Sequence, residues 1–330
     1  MKRIKFERYS KVLLLLLFIA VLTILKPKSF PTVGNISNVL WSISVIGILV
    51  SGTVFPLLLG GIDLSIGSLM GLSACITVIS IQKLNYANQS VFLGIGCAVI
   101  AGLVVGGFHG VVVTVFKVPP FLVTFATQSI VLGITQVLTN NKIISCLSPK
   151  LFTSIGLGRI GPFTFPIYLM LGIVLISYFV LNKTVFGRYV YAVGGNIEAA
   201  RISGIDHQFV TVVSYMISGL TAAIGGVVLA SMTQQGMAST GSGYETDVIT
   251  AAVVGGVSLA GGEGKIQDAV IGAILVGLLN NGMNLVGVPS TNQGLIKGLV
   301  IIGAVALDVA NKNDNKIRLF KAGKGVKKDV

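Results

Sequence analysis

The sequence predicts an all-α protein, a polytopic bundle of about ten membrane-spanning helices. Three observations lead there. Only 11% of the residues are charged, against roughly 25% in a soluble domain. Eight long windows hold no Lys, Arg, Asp or Glu: Val12–Leu25, Ser29–Ile62, Leu64–Gln82, Leu84–Phe116, Val118–Asn141, Ile160–Asn182, Gln208–Tyr244 and Ala269–Ile296. A span needs about 20 mostly apolar residues, and these windows lack the polar stripe of a soluble surface helix. Glycine supplies 42 of the 330 residues, about twice the usual share. Much of it recurs four apart, as in Gly102, Gly106 and Gly110, in Gly67 and Gly71, and in Gly294 and Gly298. In lipid, small residues at that spacing let helices approach closely.

Taken in order, the spans are expected at 9–25, 39–59, 65–82, 91–116, 119–139, 165–182, 209–232, 245–261, 267–287 and 292–309. The first could pass for a signal peptide, but Lys26-Pro27-Lys28 follows it and no A-x-A site precedes them, so it reads as an uncleaved helix. An even count puts both termini on one side. Of the 24 Lys and Arg, five lie between Lys2 and Lys11 and seven between Lys312 and Lys328, and basic flanks mark the cytoplasmic side. The chain divides into a basic cytoplasmic N-terminus (1–11), one membrane domain (12–309) whose longest cytoplasmic loop is 183–208, and a basic cytoplasmic tail (310–330). The net charge of +13 then reflects topology and contact with anionic lipid rather than nucleic acid. Outside, 140–164 reads as an ordered surface segment, and 233–244 as a polar, flexible loop. Gly60-Gly61-Ile62-Asp63-Leu64-Ser65 and Gly255-Gly256-Val257-Ser258-Leu259-Ala260 form a faint internal echo.

The polar island Asn196–Gly204 is the most informative stretch. Asn196 can cap a helix starting at Ile197, Glu198 sits in the first turn where the dipole favours an anion, and Gly204 can take the left-handed position that ends it. The resulting helix of about two turns is marginal alone in water; in a membrane protein it reads as a docking element or as an ordinary loop helix. Inside the bundle, Asp63 is either a helix cap or a functional acid. Asn280, Asn281 and Asn284, like Gln128 and Gln136, either bond neighbouring helices or line a watery path. Glu245 and Asp247 lie at a helix start, where capping and cargo contact both make sense. His109 reads as a packed residue.

Gly264-Lys265 comes nearest to a phosphate loop, yet Leu259 stands where the first glycine belongs and Ile266 where Ser or Thr belongs. The three cysteines, Cys75, Cys97 and Cys146, show no metal spacing. With no nucleophile triad either, neither enzyme chemistry nor a cofactor is expected.

Glu198-Ala199-Ala200-x-x-x-Gly204 resembles the E-A-A-x-x-x-G motif of bacterial ABC importer permeases. Six further strings, in order, resemble the ribose-type permeases of that class. They are Gly60–Ser68, Pro119–Thr124, Phe186-Gly187-Arg188 with Ala192–Asn196, Gly241–Glu245, Gly255–Gly262 and Leu279–Leu285. His109, Leu132, Glu263 and Lys265 depart from the family pattern and put fine substrate preference in doubt. The resemblance implies a type II ABC importer permease-like fold in the bacterial cytoplasmic membrane, importing a monosaccharide by alternating access. It implies a second permease subunit, cytoplasmic ATP-binding subunits and a periplasmic or lipid-anchored sugar-binding protein. The ATPase would grip Gly187, Arg188, Asn196, Glu198, Ala199, Ala200, Arg201 and Gly204; candidates for the path are Asp63, Gln128, Glu245, Asn280, Asn281 and Asn284. The rivals are a permease for nucleosides or branched-chain amino acids and an ion-coupled secondary transporter. The latter needs ionisable groups near the midplane, whereas the expected spans put every acid near a boundary.

Overall fold

The computed structural model describes residues 2–289, 291–300 and 302–303. Twelve named helices run α1 Lys2–Leu25, α2 Val33–Leu58, α3 Ile66–Lys83, α4 Asn88–Val115, α5 Pro120–Thr139, α6 Lys150–Leu157, α7 Phe165–Lys183, α8 Val185–Gly195, α9 Ile197–Ile202, α10 His207–Thr233, α11 Tyr244–Val254 and α12 Ile266–Val286. A further helical segment covers 291–300. Two small antiparallel pairs complete it: β1 Ile144–Ser145 with β4 Gln235–Gly236, and β2 Arg159–Ile160 with β3 Phe163–Thr164.

Among the described residues, seven helices (α2, α3, α4, α5, α7, α10 and α12) are long and apolar enough to cross a membrane. Of the other three expected spans, the first, 9–25, lies wholly within the continuous helix α1, whose charge-free part is Val12–Leu25. The expected span 245–261 is the eleven-residue α11, about 16 Å long and half a hydrocarbon thickness. It stops where Gly255 and Gly256 break the helix, Gly256 at φ 91°. The expected tenth span, 292–309, is helical over 292–300 and lies in part outside the described residues; the expected basic tail lies wholly outside them.

The core is organised around α2, in which every residue from Ile43 to Leu58 is buried, with α7, α10, α11 and α12 packed about it. That helix is apolar on all sides, so it can be enclosed on all sides. The α4–α10 contact uses the glycine stripe read from the sequence. A Cβ at Gly102, Gly106 or Gly110 would collide with the backbone of Gly219, Tyr215 or Val212. A Cβ at Gly294 or Gly298, by contrast, would meet nothing within 4 Å among the described residues.

The expected flexible loop 233–244 is not a free loop. After β4 has paired with β1, the strand continues into the bundle along α3. A Cβ on Gly71 would meet the Ala238 carbonyl, and one on Gly67 the Gly241 carbonyl. Glycines on α3 let a bare backbone lie against it, so this segment and α11 together lead the chain from the Thr233 end of α10 back to the α8 side as a broken crossing, extended and then helical. The segment 140–164 is ordered as expected. Its Cys146 and Phe152 are fully buried, and Trp41 Nε1 donates to the Gly156 carbonyl at 2.8 Å.

Candidate functional site

The first feature is the surface pair α8–α9. Thr184 caps α8, accepting from the Gly187 amide at 3.2 Å, and Gly187 lies so close to the Leu181 backbone that no side chain fits. Val190 and Val193 hold α8 down, while Arg188 is exposed. Asn196 caps α9, accepting from the Ala199 amide at 3.0 Å. At the other end Gly204 sits at φ 79°. Its amide donates to Arg201 O and that of Ile205 to Ala200 O, both at 3.0 Å, which is the Schellman closure. Six residues thus stand as a helix because both ends are capped. Ala200 is the buried anchor at 4% exposure, whereas Ile202 is 83% exposed. Ala199 faces out. Glu198 and Arg201 pair at 2.9 Å on the open surface, a contact worth well under ~1 kcal/mol. Beside α9 a cavity of about 710 Å³ opens between the end of α4, the start of α5 and the start of α10, with Lys117, Asn196, Glu198, Arg201 and His207 on its wall.

Directly behind α8 three glycine-rich turns meet, and two of them are the strings that form the echo in the sequence. The Gly262 amide donates to Leu58 O at 2.7 Å. A Cβ on Gly194 would strike Leu58 O and Gly262 N, and one on Gly60 would touch Ala260 O at 3.4 Å. The Tyr191 hydroxyl donates to Gly264 O at 2.8 Å. Burial, and then the negative charge of Asp268, raises the Tyr191 phenol above its ordinary pKa, so it stays a proton donor.

Above the junction lies Asp63, 1% exposed. Its Oδ1 accepts from the Ser65 amide at 3.0 Å and from Ser65 Oγ at 2.7 Å, and its Oδ2 from Ser218 Oγ at 2.7 Å. The acid therefore ties the turn before α3 to α10. His109 is buried as expected and stacks edge to face on Tyr215, with ring centroids 5.9 Å apart.

A second cavity, about 220 Å³, lies between α3, α5 and the segment 237–245. It brings together Gln128, Gln136 and Glu245 with Ser68, Ser239 and Ser242. Both Glu245 oxygens lie 3.2 Å from the Gly243 amide. The three asparagines are elsewhere. Asn281 exchanges two hydrogen bonds with Asn35 at 2.9 and 3.2 Å. Asn284 accepts from Gln293 at 2.8 Å, and Asn280 donates to Asp247 at 3.3 Å. Asp247 also pairs with Lys297 at 2.9 Å, both largely enclosed. Asp63 and Asp247 are thus inside the bundle, correcting the expectation that every acid lies near a boundary. The sequence reading passed over Lys297, although a lone lysine within an expected span is itself a signal. Tyr191 and Ser218 gave no signal; only their neighbours in space single them out.

The residues match a family profile described as "Branched-chain amino acid transport system / permease component" over 35–305. The ribose import permease RbsC of Haemophilus influenzae is 36% identical over 311 residues, 93% of this chain and 94% of its own length. The chain belongs to the ribose-type ABC importer permease family. RbsC of Bacillus subtilis is 38% identical to this permease over 312 residues, covering 93% and 95% of the two chains. The D-allose transport system permease protein AlsC of Escherichia coli is 34% identical over 306 residues, covering 92% and 91%. No solved structure matches the permease. It is a multi-pass protein of the inner membrane, and a transport subunit rather than an enzyme.

Proposed function

We propose that the permease imports a monosaccharide, ribose or a close relative, and that α9 is the element a cytoplasmic ATPase grips. The observation that carries this is the preformed, doubly capped α9 with an 83% exposed Ile202 on a polar surface. A capped helix costs a partner little ordering entropy, and an exposed isoleucine beside Ala199 offers apolar area for close contact. Gly187 and Arg188 on α8, with Asn196, Glu198, Ala200, Arg201 and Gly204, shape the same surface. The cavity at Gln128 and Glu245 is the proposed start of the path: amides, hydroxyls, and one carboxylate balanced by the Lys142 ammonium suit a neutral polyol. Asp63, Asn280, Asn281 and Asn284 serve in the proposal as bracing beside that path, since each is engaged within the chain. The sugar assignment is supported by relatives named for ribose and D-allose.

Two copies of the chain would enclose the path, with 183–208 and both termini in the cytoplasm. An extracytoplasmic sugar-binding protein would deliver the cargo and ATP hydrolysis by the partner would drive alternating access. An ion-coupled mechanism is disfavoured because Asp63 is hydrogen-bonded through both of its oxygens and Asp247 is paired with Lys297. The test is Ile202→Asp. The variant should insert normally, fail to retain the ATPase on purification and lose uptake. Normal retention of the ATPase would refute the docking surface.

A further inference from the structure

We infer that the glycine-rich turn 255–264 is a transmission link that passes movement of α8–α9 to the half-helix α11, and so to Glu245 at the intramembrane cavity, with Tyr191 as the positioning residue that clamps it. The inference rests on the docking role proposed for α9 and carries it inward.

The lower end of the link is held by backbone. Gly262 N bonds Leu58 O at 2.7 Å, and the Tyr191 hydroxyl bonds Gly264 O at 2.8 Å. At Gly194 there is no room for a Cβ between Leu58 O and Gly262 N. Backbone against backbone has no side-chain rotamer to absorb a displacement, so a shift of α8 moves the turn. The turn is itself an ordered unit. Ser258 N bonds Glu263 O at 2.9 Å, Gly261 N bonds Ser258 O at 3.2 Å, and Gly256 N and Val257 N bond back onto Val253 O and Ala252 O at 2.8 Å. The link is thereby fastened to the last turn of α11.

The upper end is a short rod. Eleven helical residues reach about 16 Å, from the junction to Glu245, whose carboxylate lies over Gly67 in the cavity wall. Near that end Asp247 is held by Lys297 at 2.9 Å and by Asn280 at 3.3 Å. The rod is also backed by α12: a Cβ on Gly272 would strike Ala251 O and one on Gly255 would strike Asp268 O, so a shift of the turn moves α11 together with the start of α12.

The test uses the permease assembled with its own ATPase and sugar-binding subunits in proteoliposomes, with ribose, allose or arabinose as cargo, whichever the unaltered complex accumulates. Tyr191→Phe removes only the hydroxyl. Losing one net hydrogen bond predicts about a five-fold fall in sugar moved per ATP hydrolysed, while the ATPase rate and the yield of complex hold. Unchanged transport, or transport and hydrolysis falling together, would overturn the link. A spin label at the exposed Thr246→Cys, in a Cys97→Ser background, should change its spectrum on ATP binding and lose that change in Tyr191→Phe. A label indifferent to nucleotide in the otherwise unaltered complex would also overturn it. If Ile202→Asp sheds the ATPase but Tyr191→Phe behaves as wild type, the link alone is wrong. If Ile202→Asp keeps the ATPase, the link has no driver and both ideas fall.

Discussion

The helix α9 and the half-helix α11 are both short, yet they are built in opposite ways. α9 is held by its own neighbours in sequence: Asn196 before it and Gly204 and Ile205 after it satisfy its ends within a few residues. α11 has no side-chain cap at its start; it follows Gly243 at φ 91° and is fixed by what lies around it. Val248, Ala251 and Ala252 are fully buried, Asp247 meets Lys297 fifty residues away, and the turn beyond it rests on Leu58. A locally stabilised helix can stand on a surface and offer a face to a partner. A helix stabilised only by tertiary contact belongs inside, where those contacts can also move it.

This contrast can be broken experimentally, and the largest effect is expected at α11. Lys297→Met leaves Asp247 enclosed without its cation, a loss of roughly 3–5 kcal/mol. The thermal unfolding midpoint in detergent should fall sharply, and Lys297→Met with Asp247→Asn should recover most of it. A midpoint unmoved by the single change would mean that the pair does not anchor α11. Next in size is Gly204→Pro. Proline cannot reach φ 79° and has no amide to give to Arg201 O, so the end of α9 unwinds at a cost of about 3 kcal/mol locally. Uptake should vanish while membrane insertion, read by protease protection, stays normal. Asn196→Ala removes a cap worth about 1 kcal/mol; ATPase affinity should drop several-fold with no change in the global midpoint. The smallest structural effect belongs to Glu198→Lys, which breaks only an exposed pair. Its midpoint should not move, so the loss of uptake expected for it reports docking alone. A midpoint that does fall would show that α9 depends on tertiary contacts after all.

The spans were legible wherever one helix fills one charge-free window, as with α2 in Ser29–Ile62 and α4 in Leu84–Phe116. The α9 caps were legible because capping is a matter of three or four adjacent residues. The broken crossing at 233–254 was not. Hydropathy sees apolar residues at 245–261 but cannot tell a span from a half-helix followed by a turn. The clue lay in Gly255-Gly256 and the repeat of Gly60-Gly61, whose meaning depends on their meeting in space. Among the path candidates, Gln128 and Glu245 share a cavity, whereas Asn280, Asn281 and Asn284 are bonded to other helices. Spacing along one helix gives the face a residue takes, not the neighbour that face meets.

The amino-acid order alone determined that this chain lives in a membrane, where its seven long apolar helices lie, and that a short helix closes at Asn196 and Gly204. Those properties follow from hydrophobicity summed over a window and from hydrogen bonds within one turn, so they need no knowledge of the rest of the molecule. Only the tertiary structure decided that Asp247 faces Lys297, that three glycine turns stack behind α8, and that a polar loop packs its Gly236, Ala238 and Gly241 against α3. Each depends on backbones brought within van der Waals reach across tens or hundreds of residues, and that proximity exists only once the bundle has packed.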